Sequence, residues 1–430
     1  MGLELWFYKK VFIIADDLTG TNDTVVQFCK VSYRGMVLAD LGVNLSGVVG
    51  AYDVLGINTN SRALPSGEAY RRVREVIEWL TSSLISLGYS LDDVLIYKKV
   101  DSTLRGNIVD EVRAIYDVLR PEVIVFTPAY PKRGRKTIRG IHLVNGVPVD
   151  KTYFGKDLRT PVRSSYIPDY FLEFSSMYKH IYIDELRGLD RVDICGYKVI
   201  SSDIEVGEDF LKLISLIEGC GWRRVLWVGS AGLAEYLTYN VVISSSYRGP
   251  ILMCIGSLND VTRKQLSRLV SVSGNILIPL NIKRLIKDFS REYSEVLNKV
   301  LESFNFKPVS IVVTSSFYDY QVSQGEELMS ELGISRDTLC ELVSDLFGRL
   351  CASIVSDVGV GRFAGILLCG GDITMSTIKY LGFKVLEVLY EVEAGLPLLK
   401  VSDSNIKLVT KAGGFGDEWT LLRVIHRLSS

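Results

Sequence analysis

Short runs of branched apolar residues alternate along the whole chain with longer stretches in which apolar residues recur every three or four positions. KVFIIAD, DVLIYKKV, EVIVFTPAY and HIYIDE read as strands that close in polar residues. GEAYRRVREVIEWLTSSLISLG and GNIVDEVRAIYDVLR read as amphipathic helices, and the same grammar continues through RRVLWVGS, GPILMCIGS, VSIVVTSS and AGILLCGG. Strands apolar on both faces belong in largely parallel sheets flanked by helices. The pattern therefore predicts an α/β chain with its active residues just past the strand ends. A chain of 430 residues exceeds one ordinary core, so two domains are expected, 1–240 and 251–430, with an active-site cleft between them. The join is placed in YLTYNVVISSSYRGP, where a serine run ends in Gly-Pro.

Composition narrows the function classes. Lys plus Arg is 49 against 50 Asp plus Glu, a formal charge of -1, which gives no support for a nucleic-acid or polybasic membrane surface. The seven cysteines include no CxxC pair, and with three histidines a zinc site is not expected; a reducing, cytoplasmic setting fits best. The N-terminus lacks a long apolar region of the signal-peptide kind, and no uncharged apolar run is long enough to span a bilayer.

Chemistry concentrates in a few places. In VFIIADDLTGTNDTVVQF a buried strand runs straight into Asp16 and Asp17. Neighbouring strand positions face opposite ways, so one acid is expected to fix the loop while the other projects into a cleft. LTG permits a turn, and NDTVVQFCK reads as the start of a helix. A single acid there is an ordinary polar strand end; two adjacent acids are harder to dismiss. YKKVDSTLRGNIVDEV packs Lys98, Lys99, Asp101, Ser102, Thr103, Arg105 and Asn107 into a strand–helix junction. Backbone N–H groups, hydroxyls and a guanidinium at such a junction suit a carboxylate or phosphate. The bland account, a cap from Ser102 or Asn107 and a local salt bridge from Arg105, explains only part of the cluster. Residues 127–157 add Lys132, Arg133, Arg135, Lys136 and Arg139, a local basic excess that suggests a small anionic ligand or a solvated loop.

The second half carries glycine turns. LLCGGDITMSTIKYLG is a buried strand, Gly370 and Gly371, an acid and then a helix, an arrangement in which backbone can approach a polyphosphate. LVTKAGGFGDEWTLLRVI repeats it with Lys411, Gly413, Gly414, Gly416 and Asp417, and CIGSLNDVTRKQ places Ser257 after another strand. Each is weak alone, and neither a Walker A loop nor a GxGxxG fingerprint occurs. Three in one half favour a nucleotide.

With these blocks in order, ADDLTGTNDTVVQF, KKVDSTLRGN, PAYPKRGRKTIRGIHLVNGVPV, GSAGLAEYL, CGGDITMSTIKYLG and KAGGFG, the chain resembles the four-carbon acid sugar kinases over about residues 11–420. That resemblance implies an N-terminal sugar-acid domain, a C-terminal nucleotide domain, ATP with Mg2+, and phosphorylation of erythronate, threonate or 3-oxo-tetronate. It implies ATP contacts at Ser257, Gly370, Gly371, Asp372, Ile373 and Gly414. For the acid half, Asp17 is the candidate base or hydroxyl orienter, Asp16 the loop brace, and Asp101 an acid able to share either role. Arg105 and Lys99 are candidate partners for the substrate carboxylate or the transferring phosphate. No metal ligand is assigned, and homo-oligomerisation is left open. The family's first block normally reads DDLTGA, whereas Thr21 stands here in place of that alanine, and the third block is more basic than usual. Both departures bear on substrate identity. An oxidoreductase acting on a hydroxy acid and a non-catalytic metabolite-binding protein are the alternatives; ADP release or a nicotinamide spectral change separates them.

Overall fold

The computed structural model describes residues 6–30, 33–39, 43–188, 193–238, 241–243, 249–272, 274–401 and 406–429. The chain divides into two compact units, Leu3–Ser245 and Ser246–Ser430.

The first unit is built on an eight-stranded sheet in the order Tyr178–Ile181, Val199–Ser202, Val123–Thr127, Val225–Gly229, Val94–Lys99, Lys10–Ala15, Val54–Asn58 and Gly35–Leu38. Every pairing in it is parallel. Lys10–Ala15 and Val94–Lys99 are buried at all six positions, the expected result for strands covered on both faces. The helix Ser66–Ser86 buries Ala69, Val73, Val76, Ile77, Leu80 and Leu84, a three- and four-residue spacing that turns one stripe to the sheet. The helix Ile108–Leu119 does the same with Ile108, Val112 and Ile115.

Two elements differ from the sequence reading. HIYIDE is a strand only to Ile181; Ile183–Arg187 is a short helix in which Glu185 Oε2 accepts from the Tyr182 N–H (2.9 Å). The basic stretch after Thr127 contains a small antiparallel sheet, Arg135–Ile138, Ile141–Val144 and Val147–Pro148, rather than an open loop. A pairing that the sequence reading did not foresee joins Cys195 and Cys220 in a disulfide. The two lie 25 residues apart in sequence, with no paired-cysteine motif to announce them, and only the fold brings their Cα atoms to 5.6 Å.

The second unit has seven strands in the order Asn275–Pro279, Ser310–Thr314, Ile251–Ile255, Gly365–Cys369, Lys407–Lys411, Leu396–Val401 and Leu386–Glu393. The first five are parallel and the last two antiparallel. Both sheets have a point where the strand order reverses. Lys10–Ala15 hands the chain on towards Gly35–Leu38 at one edge, while its neighbour Val94–Lys99 hands it the other way to Val123–Thr127. In the second unit Ile251–Ile255 and Gly365–Cys369 diverge likewise, to Asn275–Pro279 and to Leu386–Glu393. The crevice outside the carboxyl ends of such diverging strands is where open α/β sheets bind ligands. Among the described residues no helix is long and apolar enough to cross a membrane.

Candidate active site

The Asp16–Asp17 pair and the Asp101–Arg105 cluster leave the two strands that flank the first unit's switch point. The helix begins at Leu18, so LTG forms its first turn rather than a preceding loop. Asp17 caps it: Oδ1 accepts from the Gly20 N–H (2.9 Å) and Oδ2 from the Thr19 hydroxyl. Because the chain turns there, the two acids do not stay on opposite faces. One guanidinium holds both. Arg62 donates to Asp16 through Nε (2.7 Å) and Nη2 (2.9 Å), and to Asp17 through Nη1 (3.0 Å) and Nη2 (2.8 Å). Asp16 is enclosed, its side chain 4% exposed, whereas that of Asp17 is 23% exposed.

Arg62 went unnoticed in the sequence. The signal was there: SRALP follows the buried strand VLGIN, whose last residue sits beside Ala15. The turn that carries Arg62 is braced from several sides. Asn107 occupies the N-cap position of Ile108–Leu119 but makes no cap hydrogen bond; its Nδ2 instead points at the carbonyls of Ser61 (3.1 Å), Arg62 (3.4 Å) and Leu64 (2.8 Å). The Ser61 hydroxyl donates to Glu111 (2.6 Å), which is ion-paired at 2.6 Å with the fully buried Lys98.

Asp101 accepts from Arg105 Nε (2.8 Å) and from the Thr103 hydroxyl. Burial pushes its carboxyl up, but Arg105, Arg62 and the Thr103 hydroxyl outweigh that and hold it at about 2. An acid so firmly ionised accepts a proton poorly near neutrality; its geometry orients Arg105. The Arg105 guanidinium also lies over the Phe154 ring (5.1 Å) and 3.7 Å from Asp157. Leu104 (φ 62°) and Gly106 (φ 93°) give the backbone the sharp bend that turns Arg105 back onto Asp101.

Lys99 differs from the other cations here. It is buried, yet among the described residues its ammonium makes no hydrogen bond or ion pair within contact distance. Burial lowers its pKa, and Asp16, Asp101 and Asp17 pull the value back up. It borders Gly20, where an added Cβ would lie 2.9 Å from Lys99 Nζ and 2.5 Å from Asp17 Oδ1. Glycine is what lets the helix start sit against both groups. Arg62, Arg105 and Lys99 thus face Asp16, Asp17 and Asp101, with one cation left uncommitted.

The basic stretch reaches this site through other residues than its bases. Lys132 pairs with Glu235 (2.5 Å) and Arg135 donates to the Arg133 carbonyl, so the cationic block is partly spent within the protein. What the stretch delivers is Phe154, Asp157 and His142. His142 Nε2–H donates to the Ser102 carbonyl (2.9 Å), which fixes Nδ1 as the acceptor from Thr137 Oγ1 (3.0 Å). Burial pushes this imidazole down from 6.5 to about 4. The folded protein refuses a proton that the unfolded chain takes up, so the stabilisation is complete above about 6.5 and is lost as pH falls towards 4. The urea midpoint of the wild type should drop across that window more steeply than that of His142→Gln; parallel curves would assign the acid loss elsewhere.

At the second unit's switch point, Gly370 adopts φ 114° and its N–H donates to the Lys411 carbonyl (3.1 Å). The helix Gly371–Leu381 then starts without a side-chain cap. The N–H groups of Gly371, Asp372 and Ile373 lack intrahelical acceptors, the arrangement that receives phosphate oxygens. An added Cβ at Gly371 would meet nothing within 4 Å, so open space lies beside these donors. Asp372 is exposed, whereas the Ile373 side chain is in the core and only its backbone is available. Ser257 abuts the terminal glycine loop: a Cβ at Gly413 would be 2.0 Å from Ser257 Oγ, and one at Gly414 3.6 Å from Asn259 Nδ2. Gly370, Ser257 and Gly413–Gly414 therefore share one crevice. Lys411 does not enter it. Its ammonium turns inward to the carbonyls of Ala412 and Gly413 (both 3.1 Å) and braces the loop.

A carboxylate–cation cluster thus lies at one switch point, and helix-start N–H groups without intrahelical acceptors lie at the other. The chain belongs to the family composed of a sugar-binding N-terminal domain, matched over residues 11–237, and a nucleotide-binding C-terminal domain, matched over 252–421. It is 31% identical to a D-threonate kinase of Salmonella typhimurium over 97% of this chain and 98% of the relative. It is 27% identical to a D-erythronate kinase of Heliobacterium modesticaldum over 89% and 88% of the two chains. A crystal structure of a domain of unknown function from Bordetella bronchiseptica, a domain-swapped dimer with bound citrate, superposes with a TM-score of 0.68 at 26% identity, covering 97% of this chain and 98% of the other.

Proposed function

We propose that this chain is an ATP-dependent kinase that phosphorylates a hydroxyl of a small sugar acid, a four-carbon tetronate or 3-oxo-tetronate. The unit Leu3–Ser245 binds the acid and the unit Ser246–Ser430 the nucleotide. The observation that carries this reading is Lys99, a buried ammonium beside an Arg62-held Asp17 that makes no hydrogen bond or ion pair among the described residues and is therefore available to an incoming carboxylate. Activities of the Salmonella and Heliobacterium relatives support the substrate class, and the citrate in the Bordetella structure supports a carboxylate ligand.

In this reading Lys99 and Arg105 take the acid's carboxylate or the charge on the transferring phosphoryl group. Asp17, the more accessible of the first two acids, orients the attacking hydroxyl and receives its proton late; a loose phosphoryl-transfer transition state asks little of its base. Arg62 fixes the Asp17 carboxylate against rotation, and Asp16 holds Arg62. Asp101 aims Arg105. The N–H groups at Gly371–Ile373, with Ser257 and Gly414, hold ATP phosphates. Magnesium would be held mainly by those phosphates and water, and would supply charge neutralisation there.

A coupled ADP-release screen against C3–C6 aldonates and keto acids, with identification of the phosphorylated product, tests the reaction class and the substrate together. No acid-dependent ADP would overturn the proposal. Gly371→Val gives a sharper test of the nucleotide half. The added Cβ meets no protein atom within 4 Å, so the thermal midpoint should hold while ATP affinity falls about tenfold or more. Unaltered affinity by calorimetry would remove this helix start from the phosphate site.

A further inference from the structure

We infer that the cavity between the helix Asp260–Val270 and the turn at Phe317–Asp319 takes the nucleoside end of the nucleotide, an inference that rests on the second unit being the ATP-binding half. The cavity has a volume of about 520 Å3, within the range of small-molecule sites, and its lining includes Asp260, Arg263, Lys264, Phe317 and Tyr318. Short chain segments link its walls to the phosphate crevice. Ser257 leads through Asn259, whose side chain caps the helix, into the cavity wall at Asp260, and the Ser316 hydroxyl donates to the Ser257 carbonyl (2.8 Å) from the opposite wall.

The helix is two-sided. Thr262 donates to the Gly413 carbonyl (2.8 Å) and Gln265 to those of Phe415 (3.0 Å) and Asp417 (2.8 Å), so this side is occupied in holding the glycine loop. The side bearing Asp260, Arg263 and Lys264 lines the cavity. Facing it, Phe317 and Tyr318 pack edge to face at 4.8 Å, and Tyr320 stacks on Tyr318 at 5.5 Å. Arg263 ties this aromatic wall to the helix by donating to the Phe317 carbonyl (3.2 Å) and pairing with Asp319 (2.6 Å). The side chains of Asp260 and Lys264 make no hydrogen bond or ion pair among the described residues. An aromatic wall supplies the stacking face that any nucleobase accepts, and an uncommitted carboxylate with an ammonium suits ribose hydroxyls and ring nitrogens. An inorganic anion would use none of the aromatic surface and would meet two carboxylates, Asp260 and Asp319.

Calorimetric titration of ADP and of inorganic triphosphate into the full-length wild type, Phe317→Ala, Tyr318→Ala and Lys264→Ala tests this. Thermal unfolding identifies any variant that fails to fold; Tyr318 and Lys264 are exposed, so their variants keep the test available. ADP affinity is expected to fall roughly 5- to 100-fold in the aromatic variants, while triphosphate affinity stays at the wild-type level. Unchanged ADP affinity in folded Tyr318→Ala and Phe317→Ala would overturn the inference and leave the nucleotide assignment standing. Equal losses for ADP and triphosphate would place phosphates in this cavity and overturn it as well. Failure of the wild type to bind ADP would overturn the kinase reading itself.

Discussion

Asp17→Asn should lower the single-turnover rate of phosphoryl transfer by about 10²–10⁴-fold while leaving ATP affinity roughly unchanged. Asparagine keeps the size of the side chain and serves equally well as a helix cap, so the bond to the Gly20 N–H survives. It removes the charge that faces Arg62 and the oxygen able to take a proton. Both Asp17 oxygens are already engaged, by Gly20, Thr19 and Arg62, so its catalytic value lies as much in a fixed orientation as in basicity. The loose transition state of phosphoryl transfer places the effect towards the lower end of the range. Asp16→Asn is the control. It breaks a buried bidentate pair with Arg62 and should show first as lost stability. Steady-state turnover can hide product release, so the comparison belongs in single-turnover experiments on folded protein. A folded Asp17→Asn enzyme with the wild-type single-turnover rate would return the role to Asp101, despite the low pKa that Arg105 and Arg62 impose on that acid.

The two acids and the glycine turns were legible because they obey a local rule: polar or glycine residues directly after a buried strand. Arg62 obeys the same rule after Val54–Asn58, but it lies far from Asp16 in sequence, and only parallel pairing of the two strands brings them together. His142 and Phe154 were hidden for another reason. Their neighbours are charged, and charge drew the reading to Lys132 and Arg135, whereas the residues that touch the Asp101–Arg105 loop are a buried neutral imidazole and a ring. The extent of the first helix was misjudged because glycine and threonine are poor helix formers. A capping aspartate and packing against Lys99 and Gly56 override that preference: an added Cβ at Gly56 would lie 2.5 Å from the Thr21 methyl. Thr21, the residue that departs from the family's usual alanine, is itself buried, and its hydroxyl donates to the Asp17 carbonyl (2.7 Å). That hydroxyl is spent on the helix and does not face a ligand. The depth of the Lys98–Glu111 pair was likewise invisible, since YKKV shows two lysines, both buried by the fold, and no sign of which one pairs with Glu111.

Lys98→Met should be among the most destabilising single substitutions in the first unit, by about 3–5 kcal/mol, with a fall in thermal midpoint on the order of 10 °C. Lys98 is fully enclosed, and its ammonium both pairs with Glu111 (2.6 Å) and donates to the Lys99 carbonyl (2.9 Å). Removing it strands a carboxylate that retains, among the described residues, the Ser61 hydroxyl. Burial already raises the Glu111 pKa against the pull of Lys98; without the lysine the rise is larger, and the folded variant takes up a proton more readily than the unfolded chain. The stability gap between wild type and Lys98→Met should therefore narrow as pH falls. Lys98→Met with Glu111→Gln removes both charges, keeps an acceptor for Ser61, and should recover most of the loss. Because Ser61 adjoins Arg62, the single variant should also loosen the guanidinium that holds Asp17, and its catalytic loss should exceed that of the double variant. Additive effects in the double variant, or a Lys98→Met midpoint equal to the wild type's, would show that this buried pair neither stabilises the unit nor holds the turn of Arg62.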